Sequence, residues 1–194
     1  MCIRDRQRTI DNAGERLGRV RDRVLDAAAI QRHHVVLDLH AGAGLLTWDA
    51  LRRAPEGGTW ALARDREAAE GLRQQAARLP ELQRPVVLAG EPAELGDLLA
   101  LRGEGDVRFD AVVGRNALGP LPDKQAALRE LAGWLRPGGR LSLAETVVRG
   151  AQRLHALVDL SGLDEDVRTR LVEAEDAIYL EGDDPLVTWD LSLI

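Results

Sequence analysis

Apolar side chains recur along this chain in two alternating rhythms. Leu17, Val20, Val24 and Ala27 fall three or four residues apart, which predicts a first amphipathic helix ending near Ile30. After His33-His34 comes Val35-Val36-Leu37-Asp38-Leu39, a short apolar run bounded by turn chemistry and so a buried strand. Residues 41–44 are small and predict a turn, and residues 45–53 predict a helix stopped by Pro55 and Gly57-Gly58. Further strands are predicted at residues 59–63, 86–89, 108–113 and 140–144. Between them lie a helix carrying Ala68, Leu72, Ala76 and Leu79, a short one over residues 93–101, and one from Pro122 through Leu128, Leu131 and Leu135. Asp65 can cap the first of these. Two more helices are predicted after the fifth strand, one with Leu154, Leu157 and Val158, one with Val167, Leu171, Ala174 and Ile178.

Short strands alternating with helices define an α/β fold: a doubly wound, mainly parallel, Rossmann-like sheet of about five strands with helices on both faces. Ligands of such sheets bind beyond the carboxyl ends of the strands, where the winding reverses. The loop after the first strand, residues 39–45, is therefore the expected site.

Composition narrows the classes. The 194 residues carry a net charge of −6 and only six aromatic side chains, which argues against a nucleic-acid surface. No apolar stretch approaches the ~20 residues of a membrane span, and the N-terminus lacks the apolar run of a secretory signal. A single cysteine excludes an internal disulfide framework, so a cytoplasmic protein is expected. The two ends read as DNA. Met1-Cys2-Ile3-Arg4-Asp5-Arg6 is encoded by ATG TGT ATA AGA GAC AGN, and Leu191-Ser192-Leu193-Ile194 by CTG TCT CTT ATA. The second string is the reverse complement of TATAAGAGACAG inside the first, and that DNA resembles a transposon-end adaptor used for sequencing libraries. Residues 1–6 and 191–194 are accordingly expected to be adaptor, with a single domain over residues 7–190, open at both ends.

The most specific chemistry lies in Asp38-Leu39-His40-Ala41-Gly42-Ala43-Gly44. It places an acid at a strand end, glycines where backbone must approach a ligand closely, and a helix start with free N–H groups just beyond. A dinucleotide fingerprint needs G-x-G-x-x-G, and Gly42-Ala43-Gly44-Leu45-Leu46-Thr47 lacks its last glycine. A nicotinamide-dependent reductase is disfavoured on that ground and by Ala63.

The spacing resembles motif I of class I S-adenosylmethionine-dependent methyltransferases, D/E-x-G-x-G-x-G. The resemblance runs from about Val35 to Thr146. It takes in Trp60-Ala61-Leu62-Ala63-Arg64-Asp65, Phe109-Asp110-Ala111-Val112-Val113-Gly114-Arg115-Asn116 and Leu135-Arg136-Pro137-Gly138-Gly139. It implies S-adenosylmethionine as cofactor and methyl transfer to an unidentified acceptor. It also implies that Asp38 orients the methionine end, that Gly42 passes beneath the ribose, and that His40, Ala41 and Gly44 complete the turn. Glu91 would lie near the adenine amino group, Arg64 and Asp65 beside the ribose, and Arg115 and Asn116 would face the site. Two departures stand out. His40 replaces the first glycine, which its tolerance of positive φ allows. Ala63 stands where an acid usually receives the ribose hydroxyls, a loss of about 1–3 kcal/mol unless Asp65, itself a predicted helix cap, substitutes.

No catalytic residue and no metal site is identified. His33 and His34 read as turn residues, and His155 lies on a predicted helix with no partner at ligand spacing. Trp48, Trp60 and Trp134 fall in predicted regular elements and read as packing. Residues 114–120 lack the Asn/Asp-Pro-Pro-aromatic pattern with which family members methylate adenine or glutamine nitrogen. Family members also continue past the fifth strand into an antiparallel pair that is missing here, which would leave that strand an exposed edge. A second resemblance joins Arg21-Asp22-Arg23-Val24, Asp159-Leu160-Ser161-Gly162-Leu163 and Asp183-Asp184-Pro185-Leu186-Val187 to a bacterial arrangement. There, a methyltransferase-like domain follows an AAA+ recombination ATPase of the clamp-loader type. It implies, as the alternative function, a catalytically degenerate accessory domain with that ATPase as partner in the parent chain.

Overall fold

The computed structural model describes residues 3–181, 183–187, 189, 190 and 192. Met1, Cys2, Leu191, Leu193 and Ile194, on which much of the adaptor reading falls, lie outside the described residues. The chain divides into two compact units, one of residues 1–115 and 129–144, the other of residues 116–128 and 145–194.

The first unit is the sheet. Strands β1 (Val35–Leu39), β2 (Gly58–Ala63), β3 (Val86–Ala89), β4 (Phe109–Arg115) and β5 (Leu135–Ala144) pair in the order β3-β2-β1-β4-β5. Every pairing is parallel. Chain direction across the sheet reverses beside β1, the predicted switch point. Helices α1 (Ile3–Ala27), α2 (Thr47–Arg53), α3 (Arg66–Ala76) and α4 (Leu95–Leu101) connect or precede the strands. Alternation of side chains along each strand sends Val36, Ala111 and Val113 into a core with Val24 and Leu25 of α1, Ala28 just beyond it and Ala50 of α2. On the same face Ala61, Ala63 and Val87 pack on Ala69 and Leu72 of α3. The opposite face, with Leu37, Leu39, Leu62 and Val112, is fully buried too, as are Leu95 and Leu99 of α4. Burial on both faces is why β1 to β4 read as largely apolar runs.

Two charged groups fix how strands begin. Asp110 Oδ2 accepts from Val35 N–H at 2.7 Å and from Arg136 Nη1 at 2.7 Å, tying the starts of β1, β4 and β5 together. At the other strand start, the Gly57 turn lies so close to the preceding β1 turn that a Cβ there would stand 1.9 Å from His34 O. His33 and His34 are turn residues as expected, and His34 Nδ1 accepts from Gln31 N–H.

Several boundaries differ from the pattern-based reading. Helix α1 stops at Ala27, three residues early, and Ala29 takes φ 48°. Helix α2 starts at Thr47, because residues 45 and 46 still belong to the turn. A 3₁₀ turn over Pro92–Glu94 replaces the start of the helix predicted at residue 93. Pro122 does not open the next helix: α5 runs Lys124–Gly133, and Asp123 Oδ1 caps it by accepting from Ala126 N–H at 2.7 Å. A start at Pro122 would put Leu121, which cannot cap, in the place where Asp123 now accepts a backbone N–H. Strand β5 starts at Leu135, five residues early, taking Pro137-Gly138-Gly139 in as an irregularity opposite Phe109 to Ala111, with Gly138 at φ 80°. Trp134 therefore lies between elements, with the Arg108 guanidinium 4.9 Å from its ring centre.

The second unit holds no strand among the described residues. The helix expected around Leu154, Leu157 and Val158 is replaced by isolated 3₁₀ turns at Val148–Gly150 and Leu154–Ala156. Those three apolar side chains are 54–65% exposed, so no buried stripe exists to reward a helix. Instead Glu175 accepts from the N–H groups of Leu154 and His155 and lies 2.8 Å from His155 Nδ1. The last predicted helix is present as α6 (Glu165–Leu180). Lys124, the chain's one lysine, is buried at 6% exposure. Its ammonium donates to Leu121 O at 2.8 Å and Pro185 O at 2.9 Å and stands 5.1 Å from the Trp189 ring centre. Burial lowers its pKa, opposed by the charges of Glu145 and Asp184. Lys124→Met is expected to strip both carbonyls of their donor and cost about 1–3 kcal/mol. Faster amide exchange over residues 184–190 would register it.

Candidate functional site

The loop from β1 to α2 is a left-handed cradle. His40, Gly42 and Gly44 take φ of 60°, 53° and 87°, so alternate residues occupy the region that favours glycine. His40 does so despite its side chain, as its place in the motif required. Ala41 N–H donates to Leu62 O at 2.9 Å, which hangs the loop from β2, and Gly44 N–H closes onto Ala41 O at 2.8 Å. Gly42 is exposed, and the nearest atom to a Cβ built on it is 3.8 Å away. Its backbone is open to a ligand. Gly44, by contrast, is covered by its own helix: a Cβ there would stand 2.2 Å from Trp48 Nε1.

Asp38, next to last in β1, is 1% exposed. Its Oδ2 accepts from Thr47 Oγ1 at 2.5 Å, so the acid clasps the first residue of α2 from beneath the loop. Burial pushes its pKa up to about 7, even though the Thr47 hydroxyl and backbone N–H favour the charged form. The carboxylate positions the loop; it is not presented at the surface. Thr47 was not singled out in the sequence, although its place nine residues after Asp38 at a helix start was the available signal. Trp48 reads as packing, and it packs against the cluster that includes Ala41, Ala61 and Ala63.

The neighbouring strands bring other candidates to the same edge. Ala63 ends β2 fully buried. Asp65 is engaged as the predicted cap, accepting from Ala68 N–H at 2.8 Å, and Arg64 is exposed beside it with Nε 3.9 Å from Asp65 Oδ2. Gly90 N–H donates to Ala63 O, carrying the β2–β3 pairing one residue past β3. Glu91 follows, exposed, its N–H donating to Glu94 Oε2. Arg115 ends β4, exposed. Asp38, His40, Ala41, Gly42, Gly44, Arg64, Asp65, Glu91 and Arg115 thus all belong to the first unit, at the carboxyl ends of its strands.

Asn116 belongs to the second unit. At φ 53°, its Oδ1 accepts from Thr146 N–H at 3.0 Å and from Thr146 Oγ1 at 2.9 Å, an internal latch. Beside it Glu145 accepts from the N–H groups of Ala117, Leu118 and Gly119, a nest that sequence pattern did not signal. Among the described residues no group of three or more His, Cys, Asp or Glu side chains is placed to hold a metal ion. None of their helices is long and apolar enough to cross a membrane.

Parallel order 3-2-1-4-5, a left-handed glycine loop at the switch point and a buried acid beneath it define a Rossmann-like fold of the methyltransferase kind. The profile of the family described as "Methyltransferase domain" matches residues 37–143, and the chain belongs to that family. A methyltransferase of Streptomyces halstedii, GfsG, is 29% identical over 150 residues, which cover 73% of this chain and 48% of that protein. The chain thus spans about half the length of that curated relative. Among solved structures, the CcbJ methyltransferase of Streptomyces caelestis is 26% identical with a TM-score of 0.52, covering 64% of this chain and 47% of that one. The precorrin-6y C5,15-methyltransferase of Geobacter metallireducens shares the fold at 20% identity and a TM-score of 0.53, over 80% and 67% of the two chains.

Proposed function

We propose that this chain binds S-adenosylmethionine on the cradle of residues 40–44 and serves methyl transfer from it to an acceptor. One observation carries the reading: the open, left-handed backbone at Gly42, hung from β2 and backed by the Asp38–Thr47 clasp, in a chain of the methyltransferase domain family. The residues fit such a group. Gly42 leaves room that a Cβ would fill, and the turn aims backbone where a ribose must approach closely. Glu91 is exposed two residues past β3, where its carboxylate, a partner in a capping box with Glu94, could also meet an adenine amino group, and the strand ends beside the cradle carry no competing side chain at Ala63. When bound, the cofactor supplies an electrophilic methyl group on a sulfonium. The chain's own part is to hold that group in line with an acceptor, the positional contribution on which such transfers chiefly depend.

Calorimetric titration with S-adenosylmethionine tests the reading. The unaltered chain is expected to bind, and Gly42→Val to bind at least about tenfold more weakly, since a β-branched residue at positive φ is strained and its side chain enters the ligand's path. Heat absent from the unaltered chain at millimolar cofactor would end the proposal.

A further inference from the structure

Strand β3 is the outer edge of the sheet and forms the floor of a cleft of about 530 Å³ whose two lips differ in chemistry. One lip is α3, which turns Arg66, Glu70 and Arg73 to the cleft at steps of four and three residues, hence from one helix face. The other is α4 with its C-terminal cap, which contribute Leu98, Leu101 and Arg102. Three guanidinium groups against one carboxylate make this a cationic patch on a chain whose net charge is −6.

The groups differ in how far they are already committed. Arg73 Nη2 donates to Val87 O at 3.1 Å while its Nη1 stands 3.9 Å from Glu70, so its guanidinium is fixed against the sheet edge. Arg102 Nε donates to Glu104, outside the cleft, at 3.1 Å. Arg66 has no ion-pair partner among the described residues. Leu101, on the opposite lip, is 85% exposed, a large apolar surface left in water at the rim of a charged cleft. The Arg73–Val87 bond also decides between kinds of occupant. It fills an outward carbonyl of a four-residue edge strand, so an added peptide strand would meet a guanidinium in place of a free acceptor. The volume instead falls within the range of about 300–1,000 Å³ typical of small-molecule sites.

We propose that the α3–β3–α4 cleft binds an anionic amphipath, a carboxylate or phosphate head group on a short aliphatic chain, with the head on Arg66 and Arg73 and the chain over Leu98 and Leu101. Arg102 closes the cationic end. The site lies within the first unit and does not depend on methyl transfer.

Calorimetric titration of the whole chain with octanoate and with octyl phosphate tests it, with octylammonium, octyl glucoside and acetate as controls, all below their micelle concentrations. Both anions are expected to bind saturably, one per chain, with octylammonium and acetate each at least about tenfold weaker, as expected when a charge-assisted bond or the apolar contact is missing. Tighter binding of octanoate assigns a carboxylate head, and tighter binding of octyl phosphate assigns a phosphate. Arg66→Gln combined with Arg102→Gln, both surface changes, should lower anion affinity at least about tenfold with an unaltered circular dichroism spectrum. Leu101→Asp should do the same from the other lip. Absence of saturable anion binding, octylammonium or acetate binding as tightly as octanoate, or anion affinity unmoved in the double variant would each overturn the proposal.

Discussion

Replacing Asp38 with asparagine is expected to abolish a fall in stability between about pH 4 and pH 7. In the folded chain, burial holds the carboxyl proton up to about pH 7, whereas an unfolded aspartate releases it near 3.8. Between those values the folded state binds more protons than the unfolded one, so unfolding free energy falls as pH rises. The stabilisation is complete below pH 3.8 and gone above pH 7. A shift of this size corresponds to a few kcal/mol, of order 1.4 per unit. Asparagine keeps an oxygen for the Thr47 hydroxyl and has no proton to lose. Carboxylates such as Asp110, held below their usual range, produce the opposite slope in both proteins and cancel in the comparison. Urea unfolding of the two proteins from pH 4 to 8 should give curves that diverge with rising pH, with the variant the more stable above pH 7. Parallel curves would mean that the Asp38 carboxylate is solvated.

Gly57→Ala should be the most damaging single methyl group that can be added to the sheet unit. The new Cβ would meet His34 O at 1.9 Å, His34 C at 2.6 Å and His33 C at 2.8 Å. These are backbone atoms, so no rotamer change relieves the overlap, and the turns leading into β1 and β2 must separate. Overpacking of a rigid site costs roughly 1–3 kcal/mol, and this one belongs at or above the upper end. For a chain of this size, a drop in melting temperature of about 6–12 °C follows. Gly58→Ala is the internal control, because its nearest neighbour is Trp60 Nε1 at 3.9 Å. The two alanines differ by one position, so equal melting temperatures would refute the close approach. The clash is at the amino ends of the strands, and the cradle is at the carboxyl ends. Cofactor affinity of the folded fraction should therefore be unchanged.

Strands β1 to β4 were legible because they are buried on both faces, and the helices packed on them because they are buried on one. Val35 to Leu39 and Val86 to Ala89 announce themselves by composition, and the Asp65 cap by chemistry. Legibility failed where a local rule met a stronger neighbour. Pro122 could have opened a helix, yet Asp123 could cap one, and the cap prevailed. Pro137-Gly138-Gly139 reads as a turn, but pairing with β4 drew it into the strand. Leu154, Leu157 and Val158 have helical spacing and nothing to bury against, so spacing alone did not suffice. In the site, the residue types of residues 38–44 carried the backbone geometry, down to the positive φ of His40. The partners of that loop were less visible. Asp38 meets Thr47 only because the loop doubles back, and Glu145 meets three N–H groups contributed by residues 117–119, far from it in sequence.

Lys124 makes the chain its own reporter. Every other basic side chain is arginine or histidine, so the ε-amine of residue 124 is the one lysine amine an acylating reagent can find. In the closed second unit that amine is bonded to Leu121 and Pro185 under the Trp189 ring, and a buried nitrogen held by two carbonyls is out of a reagent's reach. Acylation at this residue thus waits on opening of the 184–190 segment. Its rate, read as one mass increment on a single peptide, becomes a clock for that opening without any label being engineered into the chain.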